Sequence, residues 1–441
     1  MGGRASAHPN REGGPMQKRW LSMTAVLTAI ALVAAACGGG GTSGTTSTPS
    51  GAAATTAATA VGEVIIASDL PTSGADASSG LPTQNGAAFA IAQTKSYKGI
   101  TITFKPFDDT VNGVHDPQKG AQNVQQMLSD PKVIAMVGPF NSNVARAEIP
   151  IANQGPLAMM SPANTNECLT QTFPYCDPQP AALRPTGKNN YFRIAAPDTV
   201  QGPAMADYII KTLKLTKVAV FSDNETFGKG VADNFVKRLT ATGGVLTNRS
   251  DFDWKTTNDF KPFINAAKAA GAQAIYAGAT SATKACIVRS QMQGILDVPF
   301  TGPDGIGDDQ CLKDSGSNTA NMYFTNAAGD AAQNPDAASI VAAFKQAYPK
   351  ASDLGAYTFP AYDCAFILVD AIKRAIDAAG GKVPTRQQVI DAVQATSGLK
   401  GTVGTYAFDA NGDPKSATMA FWASKGTPAV WTFQSQFSVG Q

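Results

Sequence analysis

An α/β protein with two doubly wound parallel-sheet lobes is what this sequence predicts, on three observations. The chain runs to 441 residues and is 43% hydrophobic, whereas single cores stop growing at roughly 250 to 300 residues. Short β-branched apolar runs alternate with stretches of helical period, the pattern of parallel βαβ units with helices on both faces of a sheet. The alternation comes in two series, the second beginning after a long loop that follows residue 160.

The first series opens with a strand over 61–68, a Gly-containing turn over 71–80 and a helix over 85–93. A strand at 100–107 leads to a helix at 116–129, a strand at 133–137 leads to a helix at 143–153, and 157–160 begins a further strand. The second series reads as strands at 191–195, 218–221, 246–252, 274–276 and 300–301, interleaved with helices at 201–213, 228–240, 259–270 and 283–293. After a strand at 322–325 come helices over 335–348, 359–379 and 385–394, and short strands near 403–408, 418–423 and 430–433. This tail is too small for a third domain and is expected to complete the two lobes. Open α/β sheets bind ligands beyond the carboxyl ends of their strands. That rule singles out loops 70–80, 139–143, 161–166, 223–227, 278–283 and 302–307.

The N-terminus carries its own message. Lys18, Arg19 and Trp20 precede an apolar run over 21–33, and Ala34-Ala35-Ala36-Cys37 follows, the order of an export signal with a small-residue cleavage site. The run is about a dozen residues, short of the ~20 that span a bilayer. Residues 1–36 are therefore expected to be a signal peptide, with Met16 an alternative start. Cys37 resembles the lipobox cysteine of bacterial lipoproteins, although Ala34 stands where lipoboxes prefer Leu. The resemblance implies a lipid anchor on the extracytoplasmic face of the cell membrane. Residues 37–60, almost all Gly, Ser, Thr and Ala, are expected to be a flexible tether.

An oxidising compartment permits disulfides. Cys168 and Cys176 bracket a Pro-rich loop and are expected to close it, and Cys286 with Cys311 is a second candidate pair. Cys364, inside an apolar helix, is expected to be a buried free thiol. Four of the 35 basic and one of the 33 acidic side chains fall within residues 1–36, so the remainder is close to neutral and holds no basic run. A phosphate backbone needs clustered cations, so nucleic acid is not an expected partner. After the leader the only histidine is His115, and no GxSxG, P-loop, HExxH or CxxC occurs. Enzymatic activity, a metal and a cofactor are accordingly not expected.

Several short segments stand in a telling order: Leu70-Pro-Thr-Ser-Gly74, Asn85-Gly-Ala87, Phe107-Asp-Asp109, Asp116-Pro-Gln118, Val137-Gly138, Ser161-Pro-Ala-Asn-Thr165, Gln201-Gly202, Phe227-Gly-Lys-Gly230 and Gly302-Pro-Asp-Gly305. From Glu63 to the C-terminus the chain thereby resembles the Leu/Ile/Val-binding proteins, the type I periplasmic proteins that deliver amino acids to ABC importers. The resemblance implies two lobes joined by three crossovers, near Ala196, Ala327 and Pro414. Lobe 1 would take 61–196 plus 328–414 and lobe 2 would take 197–327 plus 415–441. It also implies a small-molecule ligand, an amino acid, held between the lobes, and the permease and ATPase subunits of an importer as partners.

By the same resemblance, Ser142 would bind the ligand carboxylate at a helix start, where backbone N–H groups also favour an anion. Ala163 and Thr165 would offer backbone N–H to the carboxylate, and backbone carbonyl plus hydroxyl to the ammonium. Asp304 would face the α-amino group and Phe227 would lay its ring on the ligand. Ser79 and Thr280 stand where the branched-chain binders carry aromatics, which implies a larger or more polar side-chain pocket. Amides, urea-like solutes and short peptides stay open as ligands, and a ligand-sensing receptor module stays open as an alternative role.

Overall fold

The computed structural model describes residues 61–440. The expected signal peptide (1–36), Cys37 and the tether (37–60) lie outside the described residues, as does Gln441. β1 (Gly62–Leu70) leads to α1 (Ala77–Ala92), then β2 (Ile100–Asp108), α2 (Pro117–Ser129), β3 (Val133–Val137), α3 (Ser142–Gln154), β4 (Ala158–Ser161) and, after the long loop, β5 (Tyr191–Arg193). These strands are parallel in the order β2-β1-β3-β4-β5, with Ser96–Tyr97 added antiparallel at the β2 edge.

The chain then crosses to a second sheet through α4 (Asp198–Lys211), β6 (Lys217–Ser222), α5 (Thr226–Ala241), β7 (Val245–Asp251), α6 (Lys261–Ala269), β8 (Ala274–Gly278), α7 (Ala285–Gln291), β9 (Phe300–Gly302), α8 (Asp309–Asp314) and β10 (Met322–Asn326). Its parallel part runs β7-β6-β8-β9-β10. The chain crosses back for α9 (Ala338–Ala347), α10 (Thr358–Ala378) and α11 (Arg386–Gln394), whose apolar faces join the core of the first sheet. It crosses a third time to lay β11 (Ser416–Lys425) and β12 (Val430–Gly440) antiparallel beyond β10. Two doubly wound parallel-sheet lobes are thus the fold, as the alternation of strands and helices predicts, with the three crossovers that the resemblance implies.

The cores follow from strand periodicity. On β1, Val64 and Ile66 join a cluster with α1, α10 and α11, whereas Ile65 and Ala67 join one with α2 and α3. A strand covered on both faces must be apolar at consecutive positions, which is why these strands read as continuous runs. In the second lobe Ala219 and Phe221 of β6 pack toward α6 and α7, and Val218 and Val220 toward α4 and α5. Each fully buried Val, Ile or Phe of this kind contributes about 1.5–3 kcal/mol.

Both sheets reverse their strand order beside the first strand, between β1 and β3 and between β6 and β8, and such switch points open a crevice at the strands' carboxyl ends. Loops at the two crevices meet, as where Asn143 after β3 donates to Glu225 after β6 at 2.9 Å. Cys168 lies 5.4 Å from Cys176 and Cys286 5.1 Å from Cys311 between Cα atoms, each pair disulfide-bonded, and Cys364 is a buried free thiol in α10.

Two local readings change. α1 begins at Ala77, not near residue 85. Residues 71–80 read as a turn, but Gly80 packs where an added Cβ would lie 1.8 Å from the Pro71 carbonyl oxygen, and Thr83 Oγ1 donates to the Ser79 carbonyl at 2.7 Å. Ser79 therefore sits in a first helical turn, not in a loop. The strand expected near 403–408 shrinks to Thr405–Tyr406, paired with Leu399–Lys400.

Candidate functional site

On the first lobe the site is built by the ends of β3 and β4. Ser142 is the first residue of α3 and is buried, and its Oγ accepts from the Asn166 backbone N–H at 3.4 Å. Ser161 ends β4. Its hydroxyl donates to the Pro139 carbonyl (2.7 Å) and accepts from Ala163 N–H (3.2 Å) and Asn164 N–H (2.9 Å), which curls the loop back on itself. The Ala163 N–H assigned to a ligand carboxylate is therefore already engaged within the loop. Likewise the Thr165 carbonyl accepts from Asp198 N–H at 2.8 Å, leaving its second lone pair for a ligand. Thr165 Oγ1 is buried without a hydrogen-bond partner.

On the second lobe, Phe227 is the second residue of α5 and is half-buried. A Cβ on Gly305 would meet its ring at 2.9 Å, the Ala279 carbonyl oxygen at 2.6 Å and the Thr280 methyl at 3.1 Å. Only glycine fits there, and the contact gathers Phe227, Thr280 and Asp304 at one point. The Thr280 hydroxyl is turned into a closed pair with Thr283 (3.1 Å).

Asp304 is the pivot. Its Oδ1 accepts from Gln201 Nε2 (2.7 Å) of the same lobe, and its Oδ2 accepts from the Tyr357 hydroxyl (2.6 Å) at the start of α10 in the other lobe. Burial pushes its carboxyl up to about 6, against the pull of those two bonds. Asp198, fully buried at the start of α4, has both carboxylate oxygens unpartnered, as are Gln201 Oε1 and the Tyr276 hydroxyl. Burial first, and then the charges of Glu167 and Asp304, hold Asp198 well above the usual carboxylate range. Acceptors thus outnumber donors around Thr165, Asp198 and Asp304, which suits a cationic group of a ligand.

Two polar clusters flank this centre and tie the lobes together. At one rim His115 lies buried between carboxylates: Nδ1 is 2.9 Å from Asp76 Oδ2 in the first lobe and Nε2 is 2.9 Å from Glu225 Oε2 in the second. Gly74 and Gly113, both in left-handed backbone, touch closely enough that a Cβ on Gly74 would lie 2.0 Å from the Gly113 Cα. That approach brings the hairpin of Thr110–Val111 and Val114–His115 onto Asp76. Asn143 Nδ2 (2.9 Å) and Trp254 Nε1 (2.8 Å) complete the ring of donors on Glu225. Burial by itself would lower the imidazole pKa, but Asp76 and Glu225 outweigh it and hold His115 well above its ordinary value. With acceptors at both nitrogens, the ring is an imidazolium.

At the other rim Asp308 Oδ2 accepts from Ser78 (2.8 Å) and Ser79 (2.9 Å) of α1 and from Ser281 (2.6 Å). Its Oδ1 caps α8 through Cys311 N–H at 2.8 Å. Beside this rim lies a cavity of about 800 Å³ lined by Ser79, Asp308, Phe324, Tyr357 and Trp431.

The sequence singles out Ser142, Ala163, Thr165, Phe227, Asp304, Ser79 and Thr280; to these the structure adds Tyr357 on Asp304, Asp198 on Thr165 and Asp308 on Ser79, and it gives His115 a place between two carboxylates. That His115 is the only histidine after residue 36 was the one available signal for the last. Among the described residues no group of three or more His, Cys, Asp or Glu side chains is arranged to hold a metal ion. No helix among them is long and apolar enough to cross a membrane.

The family model described as "Periplasmic binding protein" matches residues 63–427. The Leu/Ile/Val-binding protein homolog 3 of Brucella melitensis biotype 1 is 27% identical over 360 residues, covering 81% of this chain and 90% of that protein. Among solved structures, a leucine-binding protein LivK from Thermotoga maritima matches with TM-score 0.72 and 24% identity over 85% of this chain and 98% of that one. A solute-binding protein of an ABC transporter from R. palustris, in complex with 4-hydroxybenzoate, matches with TM-score 0.70 and 16% identity over 85% of this chain and 97% of that one. At such identities the two structures speak for the fold.

Proposed function

This chain belongs to the periplasmic binding protein family, and from that premise we propose that it captures an amino acid between its lobes for an ABC importer. The observation that carries the reading is Asp304, a carboxylate held between Gln201 of one lobe and Tyr357 of the other. An α-ammonium desolvated in a closed cleft needs such an acceptor, and Thr165 Oγ1 and its carbonyl offer more. The α-carboxylate then falls to the N-terminus of α3 at Ser142, where N–H groups and the helix dipole favour an anion. The R. palustris neighbour's 4-hydroxybenzoate has a carboxylate but no ammonium. The acceptor-rich surroundings of Asp304 and Asp198 argue for a ligand that carries both. Ser79 and Thr280 have short side chains whose hydroxyls are engaged by Asp308 and Thr283, which leaves the side-chain end of the site larger and favours a ligand other than Leu, Ile or Val.

Closure follows from binding: a ligand that touches Ser142 and Thr165 on one lobe and Asp304 and Phe227 on the other favours the closed form by its differential affinity. The closed form then docks on the permease, with Cys37 as the lipid anchor that keeps the protein on the extracytoplasmic face of the cell membrane. The test is calorimetric titration of protein stripped of carried-over solute by unfolding and refolding. The panel holds the twenty amino acids, simple amides, urea and 4-hydroxybenzoate. Heat from one or a few amino acids is expected, and silence from all amino acids in a folded sample would sink the assignment.

A further inference from the structure

The cavity of about 800 Å³ beside the Asp308 rim shares walls with the Asp304 site. Two residues that line it are bonded to Asp304. Tyr357 donates its hydroxyl to Oδ2 at 2.6 Å, and Gly307 donates its N–H to the Asp304 carbonyl at 2.8 Å. Tyr357 also packs in one apolar cluster with Ala163 and Phe140, from the loops that carry Thr165 and Ser142. Ser79, the position assigned to the solute's side-chain end, lines the cavity as well, its hydroxyl already given to Asp308.

Much of the remaining wall is aromatic. Phe324 of β10 stacks with Trp422 of β11 (centroids 6.0 Å apart, planes at 8°) and meets Trp431 of β12 edge to face (4.8 Å, 81°). A Cβ on Gly307 would lie 2.4 Å from the Phe324 ring, so only glycine lets the turn after Asp304 rest against it. Leu81, Leu354 and Val430 also line the cavity and are 43%, 38% and 57% exposed. Apolar surface left in water within a concavity gains by being covered. The charged lining is balanced, with Lys313, Lys345 and Lys350 against Asp309, Asp330 and Asp353, and Asp308 already has its hydroxyl donors. Nothing there calls for a charge on the occupant. A branched aliphatic side chain would leave most of this space unfilled, whereas a ring adds to a cluster that already offers both a face and an edge.

We propose that this cavity receives the side chain of the captured solute and that the solute is an aromatic amino acid. The inference rests on the reading of Asp304 as the ammonium acceptor and adds to it the class of side chain. Because Leu81 and Leu354 belong to one lobe and Phe324, Trp422 and Trp431 to the other, a ring between them adds to the closed form.

The experiment is calorimetric titration of the whole chain with L-tryptophan, L-phenylalanine, L-leucine and L-alanine. L-Tryptophan or L-phenylalanine is expected to bind at least tenfold more tightly than L-leucine and L-alanine. Leu81→Trp and Leu354→Trp, at positions more than a third exposed and so tolerant of a larger side chain, fill the cavity and should each weaken that aromatic amino acid at least tenfold, with thermal unfolding as the check that the variants are folded. The proposal fails if L-leucine or L-alanine binds as tightly as the aromatic pair, or if both variants keep the wild-type affinity. Either result leaves amino-acid capture at Asp304 standing. Silence from these four with heat from another of the twenty amino acids likewise overturns the aromatic class alone, whereas silence from all twenty overturns the Asp304 reading and this inference together.

Discussion

One rim of the cleft closes on a cation between two carboxylates, and the other closes on one carboxylate beneath three hydroxyls. At the first, the His115 imidazolium joins Asp76 and Glu225 across the lobes. At the second, Ser78, Ser79 and Ser281 converge on Asp308. Both arrangements satisfy buried polar groups, but they respond differently to pH. The serine hydroxyls do not titrate, and the titrating group at that rim is the Asp308 carboxyl, which burial raises above its ordinary value against the pull of those hydroxyls. The histidine rim depends on a proton. Its folded pKa is raised, so its contribution is fully present below the ordinary imidazole value of about 6.5 and is lost as pH rises through the raised value.

The comparison is broken most severely by Asp308→Ala. Three hydroxyls and the first turn of α8 lose their acceptor at once, and the expected cost is about 3 kcal/mol, read from urea unfolding. Next, His115→Gln keeps one possible hydrogen bond but no charge and should cost about 2 kcal/mol at pH 6. The sharper signature is in pH. Wild type should lose stability on the alkaline side as His115 deprotonates, whereas the variant should show no such step. A wild-type urea midpoint that stays flat from pH 6 to pH 10 would remove the charge from that rim.

Between the rims, Asp304 titrates in the opposite sense. Its carboxyl is pushed up to about 6, and an ammonium is held by the ionised form. Affinity should therefore hold above that pH and fall below it, which with His115 leaves an optimum between the two values. Thr165→Ala should weaken ligand binding by about 1–3 kcal/mol at that optimum, measured by calorimetry. Unchanged affinity would remove Thr165 from the site. The smallest effect belongs to Ser79→Ala, which deletes one of three donors to Asp308 and should cost about 0.5–1 kcal/mol of stability.

The loops that carry Ser142, Thr165 and Asp304 were legible because they follow apolar strands, and strand ends are local features of the sequence. The partners of those residues were not. Tyr357 meets Asp304 across 53 residues, Glu225 meets His115 across 110 and Ser79 meets Asp308 across 229. A tyrosine before a helix, a histidine in a hairpin and an aspartate at a helix cap each have an ordinary local explanation, so nothing local marked them as bridges. The start of α1 was hidden for a related reason. Gly80 and Pro82 favour a turn on their own, and the close fit of Gly80 against Pro71 overrides that preference.

The sequence by itself determined the alternation of strands and helices, the two-lobed fold and the positions of the strand-end loops. Periodicity and turn chemistry act over a few residues, and burial on both faces of a parallel sheet writes itself into consecutive apolar positions. Only the tertiary structure decided which charges face each other across the cleft, which hydroxyls are already spent and which carboxylate oxygens stand unpartnered. Those outcomes depend on where three crossovers carry distant segments, and the energy of a buried polar group is set by the few atoms that surround it after the chain has closed.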